Sequence, residues 1–154
     1  MRIMLMSLKD YVYHKVLSGE KIYEHRKAFP NEPVKAYIYV SAPTKAICGI
    51  MYLSNRTSLL DWKEKYQADK ACVKRIDEYL LHHNYAMEIN KFERTNSISL
   101  EQLRKDLSSF VVPQMYYYIE NTELLTYLEK NLRPDGFSVT HQYDIVDSSE
   151  ICKA

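Results

Sequence analysis

The residues of this sequence best suited to chemistry are charged and lie together in the segment KIYEHRK, residues 21–27. Lys21 offers an ammonium, Glu24 a carboxylate, and Arg26 a planar guanidinium that fits a phosphate or the edge of a base. In an extended segment Glu24 and Arg26 point to the same side, so their charges can compensate each other in a cleft. The three side chains therefore indicate a site for an anionic or polar ligand. The alternative is an ion pair that only joins a helix to a strand.

A strand, a helix and a turn are predicted to position these side chains. Residues 1–8 alternate as a buried strand does, and residues 9–18 carry apolar side chains at helical spacing. Gly19 follows, and glycine readily takes the left-handed conformation that ends a helix. The segment 21–27 is then predicted to be a strand, which places the charged residues just after a sharp reversal of the chain.

Short strands and helices are predicted for the rest of the chain. Residues 34–41 and 45–54 are strand-like and are separated by a turn at Ala42, Pro43 and Thr44. The other predicted elements are a helix capped by Thr57 or Ser58 and running through Gln67, a helix over 70–83, a strand over 85–92, a helix over 99–107 opened by Ser99, a strand-like region over 111–119, a helix over 121–132, and a strand within 137–146 before a polar tail that frays. Strands interrupted by single helices favour an α+β fold with a small barrel over a parallel sheet.

Charge is distributed unevenly along the chain, although the net charge is only +1. Residues 1–75 contain 14 Lys and Arg against 7 Asp and Glu, and residues 76–154 contain 7 against 13, so the halves carry +7 and −6. Such a chain can present a basic face to phosphate while staying near neutral overall. The alternative is that the folded halves interleave and their charges cancel.

Length and composition favour one intracellular domain. With 154 residues, 46% of them apolar, the chain is predicted to form a single domain over residues 1–154. Cys48, Cys72 and Cys152 are far apart and form no CxxC pair, which favours reduced thiols over a zinc site. The apolar residues 1–8 are too few to span a bilayer or to act as a signal sequence. We therefore expect a cytoplasmic protein with no membrane partner, metal or cofactor.

The stretch MSLKDYVYHKVLSGEKIYEHRK resembles the ASCH domain, a PUA-like fold. That family is marked by a glycine, a lysine two residues later, an acidic residue three further on and an arginine two after that. Here the four positions are Gly19, Lys21, Glu24 and Arg26. The resemblance continues through a strand containing Gly49 and covers about residues 1–120, leaving 121–154 as a C-terminal helix and tail. It implies a small PUA-like β-barrel of about five to six strands with helices packed around it.

The resemblance implies a domain that binds RNA or a nucleotide, because ASCH domains are similar to PUA and EVE domains that bind RNA or modified bases. The residues implied to line the cleft are Lys21, Glu24 and Arg26, then Ser7 and Lys9, then Ser41 and Gln114. Gln114 carries an amide that both donates and accepts hydrogen bonds, as the reading of a base edge requires. The alternative for Gln114 is a turn residue after Pro113.

An enzymatic alternative also follows from the resemblance, with Lys21 and Glu24 as the catalytic residues. One bacterial branch hydrolyses the acetyl amide of N4-acetylcytidine with the motif lysine, a threonine at the acidic position and a downstream glutamate; another is linked to RNA cleavage. Here Glu24 replaces the threonine and Asn96 falls where the glutamate is expected. Glu88 and Glu93 are the nearby substitutes. A lysine beside a carboxylate is expected to stay protonated, which makes it a poor base.

Two further alternatives place the function outside this cleft. A helix-turn-helix over residues 57–83 would make the chain a DNA-binding regulator, but its helices show no obvious recognition face. The chain could also be an interaction subunit without a nucleic-acid ligand.

His82 and His83 have no third metal ligand nearby, and Trp62 is predicted to anchor the core. The sequence does not indicate the oligomeric state.

Overall fold

The structure, a computed structural model, describes residues 1–153, which form seven strands and five α-helices. The strands are β1 (Arg2–Leu8), β2 (Tyr23–Arg26), β3 (Val34–Val40), β4 (Ala46–Ser58), β5 (Tyr85–Ser99), β6 (Tyr116–Tyr118) and β7 (Pro134–Thr140). The helices are α1 (Asp10–Leu17), α2 (Leu59–Lys65), α3 (Lys70–Leu80), α4 (Leu100–Asp106) and α5 (Glu123–Asn131), with a short 3-10 helix at Ser148–Glu150.

All seven strands belong to one curled mixed sheet, a half-barrel with the helices packed around it. Six strands follow the order β2-β5-β4-β3-β1-β6, and β7 pairs separately with β5. The β1–β3 pair is parallel, and the other pairs are antiparallel. The predicted α+β, PUA-like class is therefore confirmed, with one strand more than the upper end of the predicted range.

The middle of strand β1 is apolar because both of its faces are covered. Met4 and Met6 pack against α1 in a first cluster, which includes Tyr13 and Val16. Leu5 points to the opposite face and joins a second cluster with residues of α4 and α5. The two hydrophobic clusters fix β1 between β3 and β6, so the residues that follow it emerge at a fixed place.

Local sequence signals predicted the helix boundaries and turns well. The Ser58 and Ser99 hydroxyls accept hydrogen bonds from the backbone N–H groups of Leu60 and Gln102, at 3.3 and 3.1 Å. Gly19 has a φ of +81°, as the turn after α1 requires. The predicted hairpin of β3 and β4 is present, and Trp62 is buried as predicted.

Strand boundaries differ from the prediction in several places, and three of the differences have clear causes. The strand β5 runs to residue 99 because β4 pairs with it far beyond residue 92, while β2 and then β7 pair with its other side. Only 116–118 of the strand-like region 111–119 is a strand, since Pro113 has no N–H to donate to a ladder. The strand β7 ends at residue 140, where its pairing with β5 ends.

The polar tail predicted to fray is instead docked on α3. Ile151 and Cys152 have 0% and 1% of their surface exposed and join a third cluster around Trp62 and Ile76. The guanidinium of Arg75 donates to the Ser148 carbonyl at 2.7 Å. The prediction was wrong because it weighed the polar character of residues 147–150 and overlooked the two apolar residues that follow.

The structure also bears on the cysteines, on membrane-spanning helices and on metal ligands. Cys48, Cys72 and Cys152 are free and buried. Among residues 1–153, no helix is both long and apolar enough to cross a membrane, and no three His, Cys, Asp or Glu side chains are grouped so as to hold a metal ion.

Candidate functional site

A cavity of about 450 Å³ opens where β1, β2 and α3 end and α1 begins, beside the loop that precedes β6. All seven side chains proposed from the sequence line this cavity: Ser7, Lys9, Lys21, Glu24, Arg26, Ser41 and Gln114. They come from four separate stretches of the chain. The curled sheet brings these stretches together, since β1 and β2 lie on opposite sides of the half-barrel and both end at the cavity.

Glu24 and Arg26 form a nearly buried ion pair on β2. Arg26 Nε lies 3.2 Å from Glu24 Oε1, and the two side chains are 12% and 6% exposed. A second nitrogen of Arg26, Nη2, donates to the Ser7 carbonyl at 2.8 Å and so ties β2 to the end of β1. The other oxygen of Glu24, Oε2, is buried without a hydrogen-bond partner among the described residues. The carboxylate therefore keeps one free acceptor although its charge is compensated.

Lys21 lies inside the wall of the cavity. Only 5% of the residue is exposed, and Nζ donates to the Lys153 carbonyl at 3.2 Å. Burial lowers the pKa of the Lys21 ammonium below its usual value, and the nearby charge of Glu24 offsets this in part. The sequence-based expectation considered only the carboxylate, whose attraction favours the charged form; in the structure desolvation exceeds that attraction and lowers the pKa.

His25 is a cavity residue that the sequence reasoning missed. It is 4% exposed, and its Nε2 accepts a hydrogen bond from the Cys152 backbone N–H at 3.2 Å. Burial holds its pKa well below 6.5, with smaller effects from the charges of Lys21, His83 and Arg26. The neutral ring must carry its proton on Nδ1, because Nε2 is an acceptor. That Nδ1 has no hydrogen-bond partner among the described residues.

His25 was missed because alternation along a flat strand puts it on the face opposite Glu24. In the structure the cavity wraps around the end of β2 and reaches both faces. The imidazole lies between aromatic rings, 4.8 Å from Tyr79 and 6.3 Å from Trp62 between ring centroids. Its place in the sequence, between two motif residues, was the signal that could have found it.

The mouth of the cavity carries polar and aromatic groups. Lys9 and Gln114 are exposed there, and Tyr11 is 54% exposed. Ser7 is already engaged, because its hydroxyl donates to the Pro113 carbonyl at 2.6 Å and holds the loop before β6 against β1. The mouth thus offers a cation, an amide and an aromatic ring to a ligand.

The cavity favours anions on balance. Its charged lining residues are Lys9, Lys21 and Arg26 against the single carboxylate of Glu24, and the neighbouring His25 is neutral. The buried polar atoms of the lining that have no hydrogen-bond partner among the described residues are Glu24 Oε2, His25 Nδ1, His83 Nδ1 and Arg26 Nε, the last of which is in the ion pair with Glu24. The arrangement can hold a negatively charged group near the cations and a polar, flat group deeper in.

The carboxylates considered as substitutes for the family glutamate are engaged elsewhere. Glu88 accepts from the Asn55 amide at 3.0 Å, and Glu93 accepts from the Tyr52 hydroxyl at 3.2 Å. Asn96 accepts from the Arg133 backbone N–H at 2.7 Å. Glu88, Glu93 and Asn96 are not among the residues that line the cavity. Glu24 is thus the only carboxylate on its wall within residues 1–153.

Comparison with solved structures supports the fold. The chain is similar to the ASCH protein of Zymomonas mobilis, with a TM-score of 0.66 and 19% identity, over 86% of this chain and 97% of that one. Two mutant forms of the Zymomonas mobilis protein give TM-scores of 0.63 and 0.64 at 18% and 17% identity, covering 84% and 86% of this chain and 96% and 100% of theirs. No family model and no curated protein matches the sequence. The ASCH-type fold expected from the motif is thereby confirmed.

Proposed function

We propose that this chain, which has the ASCH-type fold, binds RNA or a nucleotide in the charged cavity. The observation that carries the proposal is the convergence of Lys21, Glu24 and Arg26, all nearly buried, in one concave site. Lys21 and His25, whose pKa values are lowered mainly by burial, are perturbed ionisable groups of the kind that is typical of functional sites. The volume of about 450 Å³ suits one base or nucleotide and is too small for a duplex.

The ligand would be held by groups that have no other partner. A phosphate would sit near Lys9 at the mouth, where an exposed ammonium meets it without loss of a protein contact. A base would enter more deeply, where Glu24 Oε2 accepts from an N–H and His25 Nδ1 donates to a ring nitrogen or carbonyl. Tyr11 at the mouth offers a face for stacking a neighbouring base.

Titration with a short labelled single-stranded RNA tests the proposal. We expect binding that weakens as salt rises from about 50 to about 200 mM, because phosphate contacts release counterions. Lys9→Ala should weaken binding at low salt and reduce the slope of log K against log salt by about 0.7, the value for one lost phosphate contact on a single strand. Fluorescence anisotropy at each salt concentration gives both quantities.

Lys105→Ala is the matched control, since Lys105 is equally exposed but lies on α4, outside the cavity. It should leave the affinity and the salt slope unchanged. Absence of RNA binding at low salt, or binding that does not respond to salt, contradicts phosphate recognition. Parallel titration with free mononucleotides shows whether one unit suffices to fill the cavity.

A hydrolase acting on RNA or on a modified cytidine is the second candidate. The observation in its favour is the lowered pKa of Lys21, because a buried lysine that loses its proton more readily can take part in general acid–base catalysis. Lys21 and Glu24 would be the catalytic residues. Against it stands the lack of a second carboxylate on the wall within the described residues.

Incubation with N4-acetylcytidine and, separately, with single-stranded RNA tests the hydrolase. If Lys21 is the acid or base, Lys21→Ala should lower product formation by about 100-fold or more. Product is measured by liquid chromatography, with Lys105→Ala as the control for preparation and contamination. Equal product from wild type and Lys21→Ala would show that Lys21 takes no part in the mechanism. Absence of product from wild type would contradict the hydrolase and leave binding as the proposed function.

A further inference from the structure

The C-terminal strap, residues 147–153, is anchored at two points outside the cavity. Ser148 donates its hydroxyl proton to Asp69 Oδ2 at 2.6 Å, while its carbonyl accepts from Arg75. Ile151 is fully buried in the third hydrophobic cluster, against residues of α2 and α3. Contacts with Asp69 and Arg75 fix the start of the strap, and the burial of Ile151 fixes the position of its end. The two residues that follow, Cys152 and Lys153, therefore lie at a defined place beside the cavity.

The hydrogen bonds from the strap to the site are made by its main chain, and the Cys152 side chain also lies near Lys21. The Cys152 backbone N–H donates to His25 Nε2, and the Lys153 carbonyl accepts from Lys21 Nζ, both at 3.2 Å. Two consecutive strap residues therefore contact two of the three buried polar side chains of the wall, Lys21 and His25, which are 5% and 4% exposed. Since backbone atoms make these contacts, they depend on whether the strap is docked and not on its side chains at these positions.

We propose that the docked strap is a positioning element of the binding site, which holds the Lys21 ammonium in the cavity wall and shields it from water. An ammonium has three donors, and the Lys153 carbonyl occupies one of them, which aims the side chain and leaves the others for a ligand. Undocking would remove this acceptor and admit water to Lys21. The site would then present a hydrated, freely rotating lysine with weaker preference for a bound anion.

The titration of Lys21 reports the docking. Burial is the main reason that the Lys21 pKa is lowered, so exposure to water on undocking must raise that pKa. The titratable and charged groups that face Lys21 are Glu24, His25 and Arg26 on β2, Lys15 on α1, His83 after α3 and Cys152 in the strap. A neutral substitution in the strap changes none of these charges, and a rise in the pKa would therefore come from hydration.

Ile151→Asn is the test, and Ile145→Asn is its matched control. Ile145 is 93% exposed and Ile151 is 0% exposed, so the same change of side chain undocks the strap at one position only. Lys21 is labelled with an amine-reactive reagent across a range of pH and quantified by mass spectrometry, and the midpoint of labelling is compared. We expect a higher midpoint in Ile151→Asn and an unchanged midpoint in Ile145→Asn.

Hydrogen exchange of the Cys152 amide shows independently whether the strap is docked. An unchanged midpoint in Ile151→Asn with a fast-exchanging Cys152 amide overturns the proposal. If Ile151→Asn does not fold, Ile151→Ala takes its place with the same two readouts. An amide that stays protected in both variants also overturns it, because the strap is then not anchored by Ile151.

The role of Lys21 toward a ligand rests on the proposed function, whereas the docking of the strap does not. RNA affinity is therefore measured on the same two variants, and we expect weaker binding in Ile151→Asn only. If wild type binds no RNA but the labelling midpoint still rises on undocking, the proposed function fails and the strap inference stands. If wild type binds RNA and both variants bind equally well despite a raised midpoint, the strap does not position Lys21 for the ligand.

Discussion

Arg26→Met is expected to lower the free energy of unfolding by about 3–5 kcal/mol, because it leaves a buried carboxylate without its cation. Glu24 is 5% exposed, and its only ion pair in the described structure is with Arg26 Nε. The hydrogen bond from Arg26 to the Ser7 carbonyl is lost as well, which loosens the join between β1 and β2. Urea unfolding near neutral pH measures the change.

The double variant Glu24→Met, Arg26→Met separates the contribution of the ion pair to stability from its contribution to ligand binding. Replacement of both partners by apolar side chains of similar volume is often neutral, so the double variant should recover most of the lost stability. It should nevertheless bind RNA more weakly, since the Glu24 acceptor and the Arg26 cation are both gone while Lys9 and Lys21 remain. A stable double variant with wild-type affinity would show that the pair only joins β2 to the sheet.

The Lys63–Asp77 pair is the matched surface control. Its atoms lie 2.7 Å apart, but the side chains are 45% and 49% exposed. Water screens such a pair, so Lys63→Met should change the free energy of unfolding by less than about 1 kcal/mol. If Arg26→Met costs as little as Lys63→Met, the Glu24 carboxylate is hydrated and the cavity is wetter than the structure indicates.

Acidification below pH 6.5 is expected to destabilise the fold through His25. In the unfolded chain this imidazole takes up a proton near pH 6.5, whereas in the folded protein burial keeps it neutral to well below that pH. The unfolded state therefore binds more protons, so the free energy of unfolding falls as pH falls from 6.5 toward the folded pKa. The contribution of His25 reaches about 1.4 kcal/mol for each pH unit.

His25→Gln should remove this part of the pH dependence. The glutamine carbonyl can take the place of Nε2 and accept from the Cys152 N–H, but the amide does not titrate. Stability near neutral pH should change little, and the slope below pH 6.5 should become shallower by about 1.4 kcal/mol per unit. His83 and His141, whose pKa values are also lowered by burial, keep their share of the slope. Equal slopes in the two proteins would mean that His25 is hydrated or protonated in the fold.

Local sequence patterns predicted much of the fold and most of the residues that line the cavity. The turn at Gly19, the caps at Ser58 and Ser99 and the alternation of β1 each depend on a few neighbouring residues, and the sequence alone determined them. Spacing within the motif placed Glu24 and Arg26 on one side of β2, where the structure pairs them. Such features follow from backbone geometry over one or two turns, which a linear pattern records directly.

Only the tertiary structure decided how the cavity is completed. His25 faces it because the sheet curls around the end of β2, and a flat strand gives no hint of that. Lys21 is buried because a carbonyl 132 positions later in the chain lies over it. Desolvation depends on everything that surrounds an atom in space, so the protonation of Lys21 and His25 is set by long-range packing that no local pattern encodes.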